Sequence, residues 1–78
     1  MQLEILTPEK KLYTGEVEMV NLPGSDGSLG ILNDHAALVS TLKEGEIKIV
    51  EANAEEKIFA VKGGVVEVNN NKVIVLAE

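Results

Sequence analysis

The chain is organised as short runs of β-forming residues separated by turn residues. Across its 78 residues, apolar positions almost nowhere follow the 3.6-residue period of a helix. Runs rich in Val, Ile, Leu and Thr are instead interrupted, about every ten residues, by Gly, Asn, Asp or Pro. This spacing is typical of a meander of short antiparallel strands. The pattern therefore predicts an all-β protein.

Eight runs of this kind can be marked along the sequence. They are Gln2–Thr7, Leu12–Leu22, Gly27–Leu32, Ala37–Lys43, Glu46–Ala52, Glu56–Gly63, Gly64–Asn69 and Lys72–Glu78. In the second run, strict alternation would put Val17, Met19 and Asn21 on one face of a strand. Gly15 inside that run predicts a bulge or a strand break.

Three further glycines flank apolar strands, and each is expected to occupy a special backbone position. They are Gly30 and the pair Gly63–Gly64. A glycine between apolar strand residues is often kept because another residue would be strained or crowded there. We therefore expect larger residues at these three positions to destabilise the fold.

The last runs differ from the middle ones because they are apolar on both faces. The run "EIKIVE" alternates, with Ile47 and Ile49 on one face and Glu46 and Lys48 on the other, as expected for a strand with one face in water. In "KIFAV" and "KVIVLA", both alternating sets are apolar. A second apolar face requires either enclosure on both sides or a partner protein. The pattern alone leaves both possibilities open.

Composition and charge narrow the classes of function. The net charge is −6, with seven lysines and no arginine, which disfavours nucleic acid as a partner. The sequence lacks cysteine, so it has no thiol nucleophile or disulfide, and this fits a reducing compartment. Neither a signal-peptide core nor the roughly 20 apolar residues of a membrane span can be found. These features predict a soluble, cytoplasmic protein whose residues 1–78 form one domain.

Candidate chemistry is concentrated in "PGSDGSLGILNDHAALV", residues 23–39, which holds three glycines, two aspartates and the only histidine. The glycine spacing matches turns and not a phosphate-binding loop. His35 has no second histidine with which to share a metal, and no nucleophile elbow accompanies it. As a general base it would need Asp34 or Asp26 to orient it. We therefore expect no catalytic residue, no metal and no cofactor, and the simplest role for His35 is a hydrogen-bonded loop corner.

Three segments together resemble the epsilon subunit of bacterial rotary ATP synthases, which is called delta in mitochondria. They are "LEILTPEKKLYTGEVEMV", "LPGSDGSLGILNDHAALVSTLKEGEIKI" and "IFAVKGGVVEVNNNKVIVLAE", in the order found in that family. The resemblance implies a flattened β-sandwich of about ten short, mainly antiparallel strands. It also implies a non-catalytic central-stalk subunit of the rotor, coupling the gamma subunit to the c-ring during proton- or sodium-driven ATP synthesis.

The resemblance further assigns residues to two interfaces. Thr7, His35 and Ser40 correspond to family positions that face the gamma subunit, while Asp26, Gly27 and Ser28 correspond to the loop that faces the c-ring. Many relatives carry glutamate at the position of Ser28, so the resemblance implies that this charge pair is either missing here or replaced through Asp26. The subunit would lie at the cytoplasmic face of the cell inner membrane, peripheral through the complex and without lipid insertion.

The end of the sequence also differs from the family pattern. Most relatives continue beyond the "VLAE" motif into two α-helices that bind nucleotide or inhibit ATP hydrolysis. Six residues follow Lys72, which are too few for a stable helix and are β-branched enough to favour a strand. The resemblance therefore implies a coupling domain that neither binds ATP nor inhibits hydrolysis.

One alternative belongs to another class of protein. Acidic β domains of this size are also typical of lipoyl and biotinyl carriers, which present one lysine at a hairpin tip for covalent modification. Lys62, before Gly63–Gly64, is the nearest candidate, but it lacks the D-K-A or M-K-M context of those carriers. An intact mass without a cofactor adduct would exclude this alternative.

Overall fold

The structure, a computed structural model, describes all residues from Met1 to Glu78 and consists of eight strands joined by turns. The strands are β1 (Gln2–Leu6), β2 (Lys11–Gly24), β3 (Gly27–Leu32), β4 (Leu38–Leu42), β5 (Gly45–Glu51), β6 (Glu56–Val61), β7 (Gly64–Asn69) and β8 (Lys72–Ala77). The all-β fold class predicted from the sequence is confirmed. No helix that could cross a membrane is found.

The long strand β2 takes part in both layers of the fold. From Lys11 to Glu16 it pairs with β1, and from Val17 onwards it pairs with β5 and β3. One layer is therefore formed by β2, β1, β8, β7 and β4, and the other by β3, β2, β5 and β6. Only β1 and β8 run parallel, and every other pair is antiparallel. The predicted flattened β-sandwich with mainly antiparallel strands is confirmed, and its extents are 27 × 24 × 18 Å.

The number of strands differs from the expectation of about ten, because eight are present. The difference arises largely in β2, which continues for 14 residues without a break. A strand that passes from one layer into the other replaces two shorter strands and the connection between them.

The alternation predicted for β2 was wrong beyond Val17, and a β-bulge explains why. The register against β5 shifts between Val17 and Met19, so Glu18 is an extra residue on the β2 side. After the bulge, the buried side chains are those of Val20 and Leu22, while Asn21 is exposed and Met19 is half-buried. One inserted residue thus moves the following side chains to the opposite face.

Gly15 is not the bulge or break that the sequence predicted. It pairs regularly with Leu3 inside a continuous strand, and the irregularity between β1 and β2 lies instead between Ile5 and Leu6. A β-carbon on Gly15 would lie 2.8 Å from the hydroxyl oxygen of Tyr13. Gly15 therefore makes room for the tyrosine side chain, which is a packing role.

The core lies between the two layers and contains only apolar side chains. Sixteen apolar residues are buried, and no polar or charged side chain is. They follow the two-residue period of each strand, as in β1, where Leu3 and Ile5 are buried and the residues beside them are half-buried. The fully buried large members are Leu3, Ile5, Val17, Val20, Leu22, Ile31, Ile47, Ile49, Val66, Val68, Val73 and Val75. Each contributes about 1.5–3 kcal/mol when removed from water.

The expected constraint on glycine holds at Gly63 and Gly64 but was wrong at Gly30. Gly63 and Gly64 have φ angles of 152° and 146°, and a β-carbon on Gly64 would collide with the carbonyl oxygen of Leu76. Only glycine adopts such angles without strain. Gly30 has no positive φ, and a β-carbon there would have nothing within 4 Å. The fold itself therefore does not require glycine at position 30.

Candidate functional site

The turn between β2 and β3 projects a small polar surface that contains Asp26, Gly27 and Ser28. All three residues are exposed. The turn is fixed from below, because the Ser25 amide donates to the Thr41 carbonyl oxygen at 3.0 Å and the Thr41 hydroxyl donates to Ser25 Oγ at 2.8 Å. Asp26 takes part in none of the ion pairs in the structure. This turn therefore presents a free carboxylate in a fixed direction.

His35 lies at the exposed tip of the connection between β3 and β4. Its Nδ1 is 2.8 Å from the Ala36 carbonyl oxygen, and its backbone amide donates to the Leu32 carbonyl oxygen at 3.3 Å. The preceding Asp34 has a φ of 63°, and its amide donates to Asn71 Oδ1 at 2.8 Å. The loop is thus held by backbone bonds, as the loop-corner interpretation expected, while most of the imidazole faces solvent.

Thr7 and Ser40 have local structural contacts. The Thr7 hydroxyl donates to the Lys10 carbonyl oxygen and accepts from the Lys10 amide, both at 3.1 Å, which closes the turn between β1 and β2. Ser40 lies in β4 opposite the buried Val66 and is half-buried, and its hydroxyl donates to the Thr41 carbonyl oxygen at 3.3 Å. Neither side chain extends outward as a free ligand.

The structure does not bring these six residues together at one site. β4 begins after the His35 loop, where Leu38 is opposite Val68, and it ends where Leu42 is opposite Gly64. Thr7 follows β1 at the end where Leu6 is opposite Leu76, which is the Gly64 end of the layer. His35 and Thr7 are therefore separated by at least about the length of a five-residue strand, roughly 17 Å, along the sandwich. The turn holding Asp26 is on the Thr7 side, since Ser25 bonds to Thr41.

A further candidate surface, which is apolar, was only partly predicted from the sequence. It is the outer side of β4, β7, β8 and β1, which we call the apolar outer face, and it contains Leu6, Val39, Val65, Ile74 and Leu76. Val39 is 68% exposed and Leu76 is 55% exposed. Register places Val65 beside Leu76 and Leu76 beside Leu6, so these side chains form a continuous stripe. The two-sided pattern of β8 predicted this stripe, but nothing in the pattern singled out Val39 or Val65.

Charges on this face are unevenly compensated. Glu4 contacts two lysines, Lys11 at 3.5 Å and Lys72 at 3.8 Å. Glu67 lies between Val39 and Ile74 in the same row of the sheet and has no ion-pair partner. An apolar stripe containing one free carboxylate suits a partner with apolar side chains and at least one basic group.

A second cluster of polar and aromatic groups closes the edge of the sandwich near β6. The Tyr13 ring packs on Phe59 with centroids 5.7 Å apart, and Lys57 Nζ lies 5.6 Å from the Tyr13 centroid. The Tyr13 hydroxyl donates to Glu51, whose carboxylate is also 3.7 Å from Lys57. Burial, followed by the hydrogen bond and the charge of Glu51, raises the pKa of Tyr13 to about 12. The cluster therefore contains an ion pair and a tyrosine that stays protonated. Its contacts stabilise the packing of one layer on the other.

Comparison with known proteins places this geometry in a family. All residues from 1 to 78 match the family model described as the β-sandwich domain of the ATP synthase delta/epsilon chain. The ATP synthase epsilon chains of Campylobacter jejuni and Desulforamulus reducens are 45% and 44% identical over 78 and 77 residues. These alignments cover 100% and 99% of this chain but only 60% and 58% of those relatives.

Solved structures contain the same sandwich. A chain in the central stalk and c-ring structure of the Tetrahymena thermophila mitochondrial ATP synthase has a TM-score of 0.82 at 25% identity, and the match covers 99% of this chain and 62% of that one. A chain in the Euglena gracilis mitochondrial ATP synthase has a TM-score of 0.90 at 18% identity, covering 96% and 48%. The latter shows the fold alone. With the family match over its full length, the chain belongs to the β-sandwich domains of ATP synthase delta/epsilon chains.

Proposed function

We propose that residues 1–78 form a non-catalytic domain of the central stalk of a rotary ATP synthase, coupling the gamma subunit to the c-ring during ATP synthesis. The observation that carries this proposal is the match of every residue to the delta/epsilon β-sandwich family. The likeness to a chain in a solved central stalk and c-ring supports it. One core of sixteen buried apolar residues supports treating residues 1–78 as one domain.

The distribution of surfaces supports contacts with two different partners. The apolar outer face provides a broad, weakly charged contact area, while the Asp26 turn lies at one end of the sandwich and carries a free carboxylate. An apolar surface favours a lasting contact with one rotor partner, here gamma. A projecting polar turn favours contact with polar loops, here those of the c-ring. We accordingly propose Asp26, Gly27 and Ser28 for the ring side, and His35 for the gamma side.

Thr7 and Ser40 fit the gamma side less directly than His35. Their hydroxyl groups are used in the β1–β2 turn and along β4. We propose that they shape the backbone next to the gamma contact, and that the exposed side chains beside them make the contact itself.

A non-catalytic role is supported by the surroundings of His35, the residue that would have to act as a general base. The Nδ1 atom of His35 is next to the carbonyl oxygen of Ala36, and the side chains of Asp34 and Asp26 make no hydrogen bond to the ring. We propose that the domain is peripheral to the membrane through the complex, at the cytoplasmic face of the cell inner membrane. The carrier alternative has no observation in its favour, since the family match and the fold lie with the ATP synthase chains.

Two measurements test the proposal together. Isothermal titration of the chain into the isolated cognate gamma subunit should show saturable one-to-one binding. Membrane vesicles stripped of the epsilon chain should regain proton-driven ATP synthesis when the chain is added back. An Asp26→Asn variant is the matched control, because it should still bind gamma saturably and one-to-one and should restore less synthesis. Absence of both binding and restored synthesis would contradict the proposal.

A further inference from the structure

Two strands of the sandwich pair with only one neighbour, and only one of these two is protected. β3 pairs with β2 alone, and β6 pairs with β5 alone. The edge of β6 carries Glu56, which contacts Lys48 at 3.3 Å, and Lys57 on its core-facing side, which is 3.7 Å from Glu51. Charged residues of this kind prevent another strand from pairing. β3 reads GSLGIL and contains neither a charge nor a proline.

The unpaired backbone groups of β3 can be identified from the register. The Pro23 carbonyl oxygen accepts a hydrogen bond from the Lys43 amide at 2.9 Å, so it points towards β4 and away from β3. Pro23 is opposite Ser28, and this pair is therefore one that exchanges no backbone hydrogen bonds. Because an antiparallel ladder alternates, the N–H and C=O groups of Ser28 and Gly30 point away from β2. No other strand lies there to receive them.

At Gly30 the edge of β3 leaves space for the backbone of another strand. A β-carbon at Gly30 would have no atom within 4 Å, and the residue has no positive φ. Neither conformation nor packing inside the chain explains the glycine, but an added strand would. An edge glycine exposes its backbone and leaves room for a large side chain from the neighbouring strand to cover it.

Charges at the two ends of β3 indicate what kind of segment would fit. Asp26 directly precedes the strand and Asp34 follows it by two residues, and neither carboxylate has an ion-pair partner. The whole chain has a net charge of −6, so a basic segment would be attracted. Leu32, 60% exposed on the outer side of β3, would contact an apolar side chain between the basic ends.

We propose that the free edge of β3 binds an extended segment of the gamma subunit by β-augmentation. The segment would carry basic residues near both ends and a large side chain over Gly30. The identity of the partner rests on the proposed function. The His35 loop joins β3 directly to β4, where Val39 lies on the apolar outer face. One partner can therefore pair with β3 and also cover that face.

The chain offers a matched pair of variants to test this. Gly30→Pro removes the outward N–H without breaking a hydrogen bond inside the chain, since proline is tolerated on an edge strand. Gly30→Ala keeps the N–H and fills open space. We expect Gly30→Pro to weaken binding to the isolated gamma subunit by about tenfold or more, because the outward N–H is lost. Gly30→Ala keeps this N–H and only occupies part of the space over the glycine, so it should weaken binding less than Gly30→Pro does. Thermal melting of both variants measures whether the fold is retained.

Hydrogen exchange on the wild-type chain gives an answer that does not depend on either variant. On addition of the gamma subunit, the amides of Ser28 and Gly30 should exchange at least about tenfold more slowly, while the edge amides of β6 should not change. Gamma binding with unprotected Ser28 and Gly30 amides would overturn the augmentation and leave the proposed function standing. Absence of gamma binding would overturn the augmentation, and together with absent restoration of ATP synthesis it would overturn the proposed function as well. Concentration-dependent self-association that is lost in Gly30→Pro would assign the edge to a second copy and would also overturn the inference.

Discussion

The hydroxyl of Tyr13 donates a hydrogen bond to a carboxylate oxygen of Glu51 at 2.5 Å, although 38 residues separate the two in sequence. Tyr13 belongs to the part of β2 that pairs with β1, and Glu51 ends β5 in the other layer. The bond therefore joins the two layers at the side where β6 has no further neighbour. The two aromatic residues of the chain, Tyr13 and Phe59, pack beneath it.

Replacing Tyr13 by phenylalanine should lower the free energy of unfolding by about 1–2 kcal/mol at neutral pH, because the hydrogen bond to a charged acceptor is lost while the ring contacts stay. Chemical denaturation of both proteins measures the difference. The Thr14→Val variant, a neighbouring change on an exposed residue, is the control and should have little effect. Equal unfolding free energies for wild type and Tyr13→Phe would show that the bond contributes nothing net.

The contribution of Tyr13 should also depend on alkaline pH. The pKa of Tyr13 is raised from 10.0 to about 12 in the folded chain, so folding favours the protonated phenol. The stabilisation is then complete below pH 10 and is lost as the pH rises through 12. The stability difference between wild type and Tyr13→Phe should shrink over this interval. A stability difference that grows with pH would contradict a raised pKa for Tyr13 in the folded chain.

Gly64 and Gly30 should respond in opposite ways to the same substitution. Gly64→Ala places a β-carbon against the carbonyl oxygen of Leu76 at a φ of 146° and should cost more than about 2 kcal/mol. Gly30→Ala meets no atom and should be neutral or stabilising by up to about 1 kcal/mol, because it restricts the unfolded chain. Melting curves of the two variants make the comparison. Similar losses in both would mean that Gly30 is constrained as the sequence first suggested.

The sequence predicted those features of the fold that depend on local patterns. All eight runs became strands, because turn residues and β-branched runs act locally. The face of β2 beyond Val17 could not be predicted, because the bulge at Glu18 depends on pairing with β5, which is distant in sequence. The prediction for Gly15 was wrong for the same reason. Gly15 makes room for the Tyr13 side chain, whose position depends on a hydrogen bond to Glu51 in the other layer.

Candidate surface residues were harder to predict than strands. A single sequence marks Asp26 and His35 as exposed turn residues, and both are exposed. It does not show that β3 is an edge strand or that β4, β7, β8 and β1 lie side by side, since strand order is set by long-range packing. The assignments of Thr7, His35, Ser40, Asp26, Gly27 and Ser28 to partners stay predictions that binding experiments must test.

Ala54 is a site where the chain can be stabilised. It has a φ of 71° in the turn between β5 and β6, a left-handed conformation that costs a residue with a β-carbon about 1–2 kcal/mol. Ala54→Gly removes this strain but increases the entropy of the unfolded chain by about 0.4–1 kcal/mol. The variant should therefore be more stable by up to about 1.5 kcal/mol. Ala60→Gly, in regular β6, should instead be destabilising, and thermal melting of both distinguishes the cases.

His35→Ala should leave the fold nearly unchanged and weaken binding to the gamma subunit. The ring is exposed and its one polar contact is to the adjacent Ala36 carbonyl oxygen, so little folding energy depends on it. At an interface, however, loss of the imidazole ring reduces contact area. Calorimetric titration with gamma, beside a melting curve, separates the two effects. Unchanged affinity would remove His35 from the proposed gamma side.

The apolar outer face can be tested by one substitution made on each side of the sandwich. Val39→Thr keeps the β-branched shape in β4, where the side chain is 68% exposed, so stability should change by less than about 0.5 kcal/mol. If gamma covers this face, the buried hydroxyl should weaken binding about fivefold, because it would be desolvated without a partner. Ile58→Thr is the control, since Ile58 is 57% exposed on the outer side of the other layer. Weaker binding for Ile58→Thr and not for Val39→Thr would place gamma on the opposite layer.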